Sequence, residues 1–153
     1  MGCLRPHDIE HGLAHVARLC AERGVRLTEQ RRRVLALVWQ SDKPLGAYDI
    51  LAAIQAEQPR AAPPTVYRAL DFLLAQGLIH KLQSLHAYVG CAHPGEPHAS
   101  QFLICTRCGD VTELEDDRVN RSLGKAAAAS GFQPDQPIVE LTGTCAECRE
   151  DKP

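Results

Sequence analysis

The chain has 153 residues, enough for one domain or two small ones. With 44% hydrophobic residues and 17 Lys and Arg against 19 Asp and Glu, it has the apolar content of a real core, and its net charge of −2 fits neither a basic nucleic-acid tail nor an acidic solvating segment. No run approaches the roughly 18 apolar residues of a membrane span, and the start MGCLRPHDIEHGL lacks a signal-peptide core, which excludes membrane, secreted and collagenous classes and leads us to expect a cytoplasmic protein.

Along the chain, Ile9, Leu13, Val16 and Cys20 fall on one face of residues 7–22, which predicts an amphipathic helix stopped by Gly24. His7, His11 and His15 form a second stripe, read as a solvated face or a stray metal site. Thr28 reads as the N-cap of a second helix that buries Val34, Leu35, Leu37 and Val38. Its first turns carry Arg31, Arg32 and Arg33, which oppose the helix dipole, so a phosphate backbone or plain solvation would offset them. Residues 47–57 predict a short third helix with Ile50, Leu51 and Ile54 inward. After a proline-rich connector, Pro63-Pro64 sets up Thr65 as the cap of a fourth helix over 65–76, with Val66, Leu70, Leu73 and Leu74 buried and Tyr67 and Arg68 outward. Strands over 78–82 and 86–91 around Ser84 complete a winged-helix variant of helix-turn-helix, preceded by an extra helix.

Beyond residue 92 the texture changes. A loop to residue 100 leads to strands at 101–105, 110–114 and 137–141, and to a helix at 116–130 with Val119, Leu123, Ala126 and Ala127 inward. The fold class is therefore α+β, with a winged helix at 1–85, the wing end and a connecting loop at 86–100, and a small α/β module at 101–153. So small a β-β-α-β module would gain from a zinc staple and a partner chain. Charge divides the same way: residues 1–85 carry a net +3 and residues 86–153 a net −5.

Seven cysteines without a secretion signal argue against a disulfide framework. Four of them form two matched knuckles, Cys105-x-x-Cys108 and Cys145-x-x-Cys148, the pattern of a closed tetrahedral thiolate zinc site. A redox thiol pair and an iron site are the competing readings, and two knuckles beside β-type runs favour metal. His80, His86, Cys91, His93, His98 and Glu113 offer mixed N, S and O donors. From spacing alone, these remain either a second metal set or exposed polar side chains around one buried thiol.

Leu27-Thr28-Glu29-Gln30-Arg31, Pro64-Thr65-Val66-Tyr67-Arg68-Ala69-Leu70, Tyr88-Val89-Gly90-Cys91 and the two cysteine knuckles occur in order over nearly the whole chain. With them the sequence resembles the ferric uptake regulator family, and within it the zinc uptake regulator branch. The resemblance implies a homodimeric repressor that binds double-stranded operator DNA when loaded with zinc and shuts off zinc-uptake genes, with no membrane or small-molecule substrate; it makes 1–85 the DNA-binding domain, 86–100 the wing end and hinge, and 101–153 the dimerisation domain with the structural zinc site. It implies two zinc ions per chain: a structural one on Cys105, Cys108, Cys145 and Cys148, and a sensing one on His80, Cys91, His98 and Glu113. Cys91 stands where iron sensors carry a carboxylate, and one thiolate, two imidazoles and a carboxylate suit four-coordinate zinc. Tyr48, Tyr67 and Arg68 carry over as base contacts, and Thr65 and Arg31 as phosphate contacts. A zinc hydrolase with Glu113 as general base is the alternative from another class. It would need an open zinc position with bound water, and four protein donors leave none, so no enzyme is expected.

Overall fold

The computed structural model describes residues 8–96 and 98–150, and the chain divides after residue 96 into two compact units. His7 and the start of the first helix expected at residue 7 lie outside the described residues. In the first unit, helix α1 (Ile9–Glu22) is capped by Asp8, whose carboxylate accepts from the His11 N–H at 3.2 Å, and buries Leu13, Val16 and Cys20. Helix α2 (Glu29–Gln40) starts at Thr28, whose hydroxyl accepts from the Arg31 N–H at 3.4 Å. It buries Val34, Leu35, Val38 and Trp39 at the centre of the core. Strand β1 (Leu45–Gly46) leads into helix α3 (Ala47–Glu57), where the Asp49 carboxylate accepts from the Gly46 N–H at 3.2 Å.

Helix α4 (Pro63–Ala75) begins two residues earlier than the sequence reading expects, with Ala62 rather than Thr65 as its N-cap. Proline at the first helical positions has its φ preset and gives up only a donor that a helix start leaves unsatisfied. Thr65 therefore lies within the first turn, its N–H bonded to the Ala62 carbonyl at 3.0 Å. Strands β2 (Ile79–Leu82) and β3 (Ala87–Gly90) form the wing, joined by a turn over 83–86 that His86 closes at φ +48°. The two-residue β1 pairs with β3 to give sheet order β1-β3-β2, with Leu45 opposite Tyr88. So short a strand has no periodicity to read and exists only through its partner.

In the second unit, strand β4 (Ser100–Cys105) is central, antiparallel to β5 (Val111–Leu114) and parallel to β6 (Ile138–Gly143). The parallel pair needs a long crossover, and helix α5 (Asp117–Ala129) lies within it. The Asp116 carboxylate caps α5 by accepting from the Arg118 N–H at 2.8 Å; the Arg118 guanidinium and then that bond hold its pKa down to about 2. A short helix α6 (Ala146–Glu150), absent from the sequence reading, follows Cys145. The inward face expected for Val119, Leu123, Ala126 and Ala127 is not buried: α5 has no buried residue, and Leu123 is 43% exposed. A three-stranded sheet is too small to cover both its own faces and this helix. No described helix is long and apolar enough to cross a membrane.

Candidate metal centres and nucleic-acid surface

The sheet of the second unit brings the two cysteine knuckles together. Cys105 ends β4 in register with Gly143 on β6, two residues before Cys145. At the first knuckle Gly109 adopts φ +75°, which lets its N–H reach the Cys105 carbonyl at 3.0 Å. Thr106 ties the knuckle to β6 through its N–H and its hydroxyl, which donate to the Gly143 carbonyl at 2.8 and 3.1 Å. At the second knuckle Cys145 opens α6, its carbonyl accepting from the Arg149 N–H at 3.0 Å, and Arg107 donates to the Cys148 carbonyl.

The four sulfurs of Cys105, Cys108, Cys145 and Cys148 lie within 4.8 Å of one another, and those of Cys108 and Cys145 are 3.8 Å apart. Tetrahedral zinc with bonds of about 2.3 Å requires sulfurs about 3.8 Å apart, so the residues fit the ion. Their protonation points the same way. Backbone N–H groups of Cys108 and Cys145 draw the Cys105 thiol down to about 6, while a shared hydrogen bond with Cys145 and burial push Cys148 up to about 12. One thiolate forms readily there, and Cys108 and Cys148, both raised, resist further negative charge, which a divalent cation would neutralise.

The other donors fall in two pairs, one in each unit. In the first unit His80 on β2 faces Val89 on β3, and the alternation of the strand puts Cys91, just past its end, on the same face as Val89. Cys91 is buried, and its N–H donates to the Leu78 carbonyl at 3.2 Å. In the second unit Glu113 on β5 faces Phe102 on β4, and its carboxylate lies 2.8 Å from Nε2 of His98. The Glu113 side chain is only 1% exposed, and a carboxylate so removed from water needs a cationic or hydrogen-bonding partner. His86, in the wing turn, and the exposed His93 belong to no group of three or more donors among the described residues.

On the first unit, α4 buries Val66, Ala69, Leu70 and Leu73, and helical geometry leaves Thr65, Tyr67 and Arg68 exposed on its first two turns. Tyr48, at the start of α3, is 81% exposed. The arginine trio of α2 is answered within the chain. Arg32 pairs with Glu10 at 2.9 Å, Arg33 with Glu57, and the Arg31 guanidinium lies 3.7 Å from the centre of the Phe72 ring while donating to the Arg26 carbonyl at 2.6 Å. Two side chains that the motifs do not flag also shape the units. Gln101 is buried and donates from Nε2 to the Asp116 carbonyl at 3.0 Å and to Asn120 Oδ1 at 2.8 Å, joining α5 to β4. Arg23, at the C-terminus of α1, reaches backbone carbonyls far along the chain. A buried polar residue and a cap arginine have no sequence signature, because their partners are remote.

Residues 22–142 match the model of the ferric uptake regulator family. The zinc uptake regulation protein of Escherichia coli K12 is 45% identical over 139 residues, which cover 90% of this chain and 81% of that protein. Among solved structures, a zinc uptake regulator complexed with zinc and DNA is 42% identical with a TM-score of 0.89, over 95% of this chain and 97% of the other. The holo form of XcZur is 46% identical with a TM-score of 0.85, over 92% and 98%.

Proposed function

The chain belongs to the ferric uptake regulator family, in its zinc uptake regulator branch, and on that premise we propose a repressor that binds operator DNA as a zinc-loaded homodimer and shuts off zinc-uptake genes. It is a regulator, not an enzyme, and it acts in the cytoplasm, where its operators are. The observation that carries the metal specificity is the donor set. Cys105, Cys108, Cys145 and Cys148 hold a structural zinc. His80 and Cys91 from the first unit and His98 and Glu113 from the second hold a sensing zinc, with one thiolate, two imidazoles and a buried carboxylate favouring four-coordinate zinc over six-coordinate iron.

Zinc, when bound, supplies a divalent charge and directed bonds to donors from both units. Cys91 enters as thiolate and Glu113 as carboxylate, so their charges balance the ion, and His80 and His98 bind through neutral ring nitrogens. With the donors closed, the winged helix is held at one angle to the dimerisation module. In a dimer that angle sets the spacing of two α4 helices relative to successive major grooves. With the donors open, operator binding must restrict that motion itself. DNA and zinc therefore tighten one another's binding by the same factor.

The exposed face of the second unit supports a partner copy. Leu103 on β4 is in register with Leu141 on β6, and both are exposed, as are Leu123 on α5 and Phe132. A second copy covering this face would bury what the single chain leaves in water. At the DNA, Arg68 suits the N7 and O6 atoms of guanine, and Tyr67 and Tyr48 suit thymine methyl groups. Thr65 stands exposed in the first turn of α4, where its hydroxyl suits a phosphate oxygen. Arg31, whose guanidinium lies over the Phe72 ring of α4, is the other phosphate contact.

The deciding experiment measures metal content and DNA affinity together across a free-zinc titration, with duplexes selected from a random pool in the presence of zinc. Two zinc ions per chain are expected, one removed by a mild chelator together with DNA affinity. Cys91→Ser should abolish the zinc dependence of DNA binding. If it leaves that dependence intact, the sensing assignment is wrong.

A further inference from the structure

The segment leaving Cys91 is tied back onto the first unit by one side chain. Arg23 donates from Nη1 to the Gln76 carbonyl at 2.7 Å and from Nη2 to the Gly95 carbonyl at 3.2 Å. The same Nη1 lies 3.3 Å from the Gln76 side-chain oxygen. Arg23 is the C-cap of α1 and Gln76 the C-cap of α4, so the guanidinium sits at the negative end of the α4 dipole. Gly95 is fitted to this seat. Its φ is +91°, and a Cβ there would meet Leu19 Cδ2 at 2.6 Å and Arg23 Nη2 at 3.3 Å. Gly95 lies inside a turn over 93–96, which the Glu96 N–H closes by donating to the His93 carbonyl at 3.2 Å. A single planar fork thus joins the end of α1, the end of α4 and the stretch that separates Cys91 from His98.

We propose that Arg23 is a positioning residue for the zinc response: it seats segment 92–96 against α1 and the C-terminus of α4, so that order in the segment and placement of α4 support one another. This rests on the sensing role assigned above to Cys91 and His98. Ordering a flexible segment costs conformational entropy, and Arg23 meets part of that cost before the donors close. The fork also gives the segment a direct route to the helix that carries Tyr67 and Arg68 at its other end. Two carbonyls bound at once need the planar guanidinium; a lysine ammonium is a point charge on a flexible stem and cannot reproduce the fork.

The test uses the full chain with Arg23→Lys, Arg23→Ala and Gly95→Ala. The first readout is backbone amide hydrogen exchange without sensing zinc. Residues 92–96 should exchange faster in all three variants, while the core amides of α2 and α4 keep their protection. The second is a zinc titration against a competing chelator dye. The weaker zinc should lose about tenfold in affinity, within the usual range of coupling between sites, while the tighter zinc is unchanged. The free zinc needed for half-saturation of a selected DNA duplex should rise by the same factor. Unchanged exchange in both Arg23→Lys and Gly95→Ala overturns the seating. Faster exchange with unaltered zinc affinity overturns the coupling. A wild-type chain that binds one zinc only would instead overturn the sensing reading, and the zinc-free exchange data would still decide whether Arg23 holds the segment.

Discussion

At the scale of single residues, chemistry follows from what each side chain is prevented from doing. The thiols of Cys105, Cys108, Cys145 and Cys148 crowd within 4.8 Å, with Cys105 drawn down to about 6 by backbone N–H groups and Cys148 pushed up by its hydrogen bond with Cys145, an arrangement that a divalent cation suits. Cys108→Ser should therefore lower the zinc content from two ions per chain to one and raise the rate of proteolysis of residues 97–150, measured by metal analysis and limited digestion. Arg68 has no such internal role and stands exposed on α4. Arg68→Ala should cost roughly 1–3 kcal/mol at one base position of the operator, and a uniform loss across all duplexes would mean a phosphate contact instead. The knuckles are legible in sequence because both members of each pair are local. Glu113 is in sequence one donor of an open set that only the family resemblance narrows, since its partner His98 lies on a different segment.

At the scale of elements, local rules do well wherever the partner is a few residues away. Thr28 caps α2 as its sequence suggests, and Thr28→Ala should lower stability by about 1 kcal/mol in urea unfolding followed through the single tryptophan, Trp39, which α2 buries. The start of α4 shows local signals competing. A threonine before an apolar run reads as a cap, but two prolines already preset helical φ and carry the helix back to Pro63. The arginine trio of α2 makes the same point. In sequence it reads as offset by a phosphate backbone or by plain solvation, and the fold adds Glu10 and Glu57 from α1 and α3 and the Phe72 ring from α4. Only tertiary packing could bring them there.

At the scale of the whole molecule, the two units are stabilised differently. The first has a continuous core around Trp39, Leu35 and Leu70, while the second buries only Gln101, Phe102, Ile104, Cys105 and Val111 among its described residues. A strong chelator that strips the cysteine site should reduce the β-signal in circular dichroism and leave the Trp39 emission maximum unmoved. A red shift of that emission would show that the first unit depends on the second. The uncovered face of the second unit gives the assembly prediction. Leu141, 63% exposed, is in register with the exposed Leu103. Leu141→Lys should therefore move the protein from dimer to monomer in sedimentation velocity and weaken operator binding, because two half-sites would no longer be gripped together.

The sequence by itself determined the order of the first five helices, the wing, the paired thiolate knuckles and the division of charge between the halves. Each of these rests on periodicity, caps or spacings of a few residues, whose physics is local. The tertiary structure alone decided that α5 keeps its apolar stripe in water, that Arg31 serves the Phe72 ring, that Gln101 ties α5 to β4, and that Arg23 joins two helix ends to the segment after Cys91. These interactions link residues distant in the chain, and a contact of that kind acquires its energy only once the rest of the fold has brought its partners together.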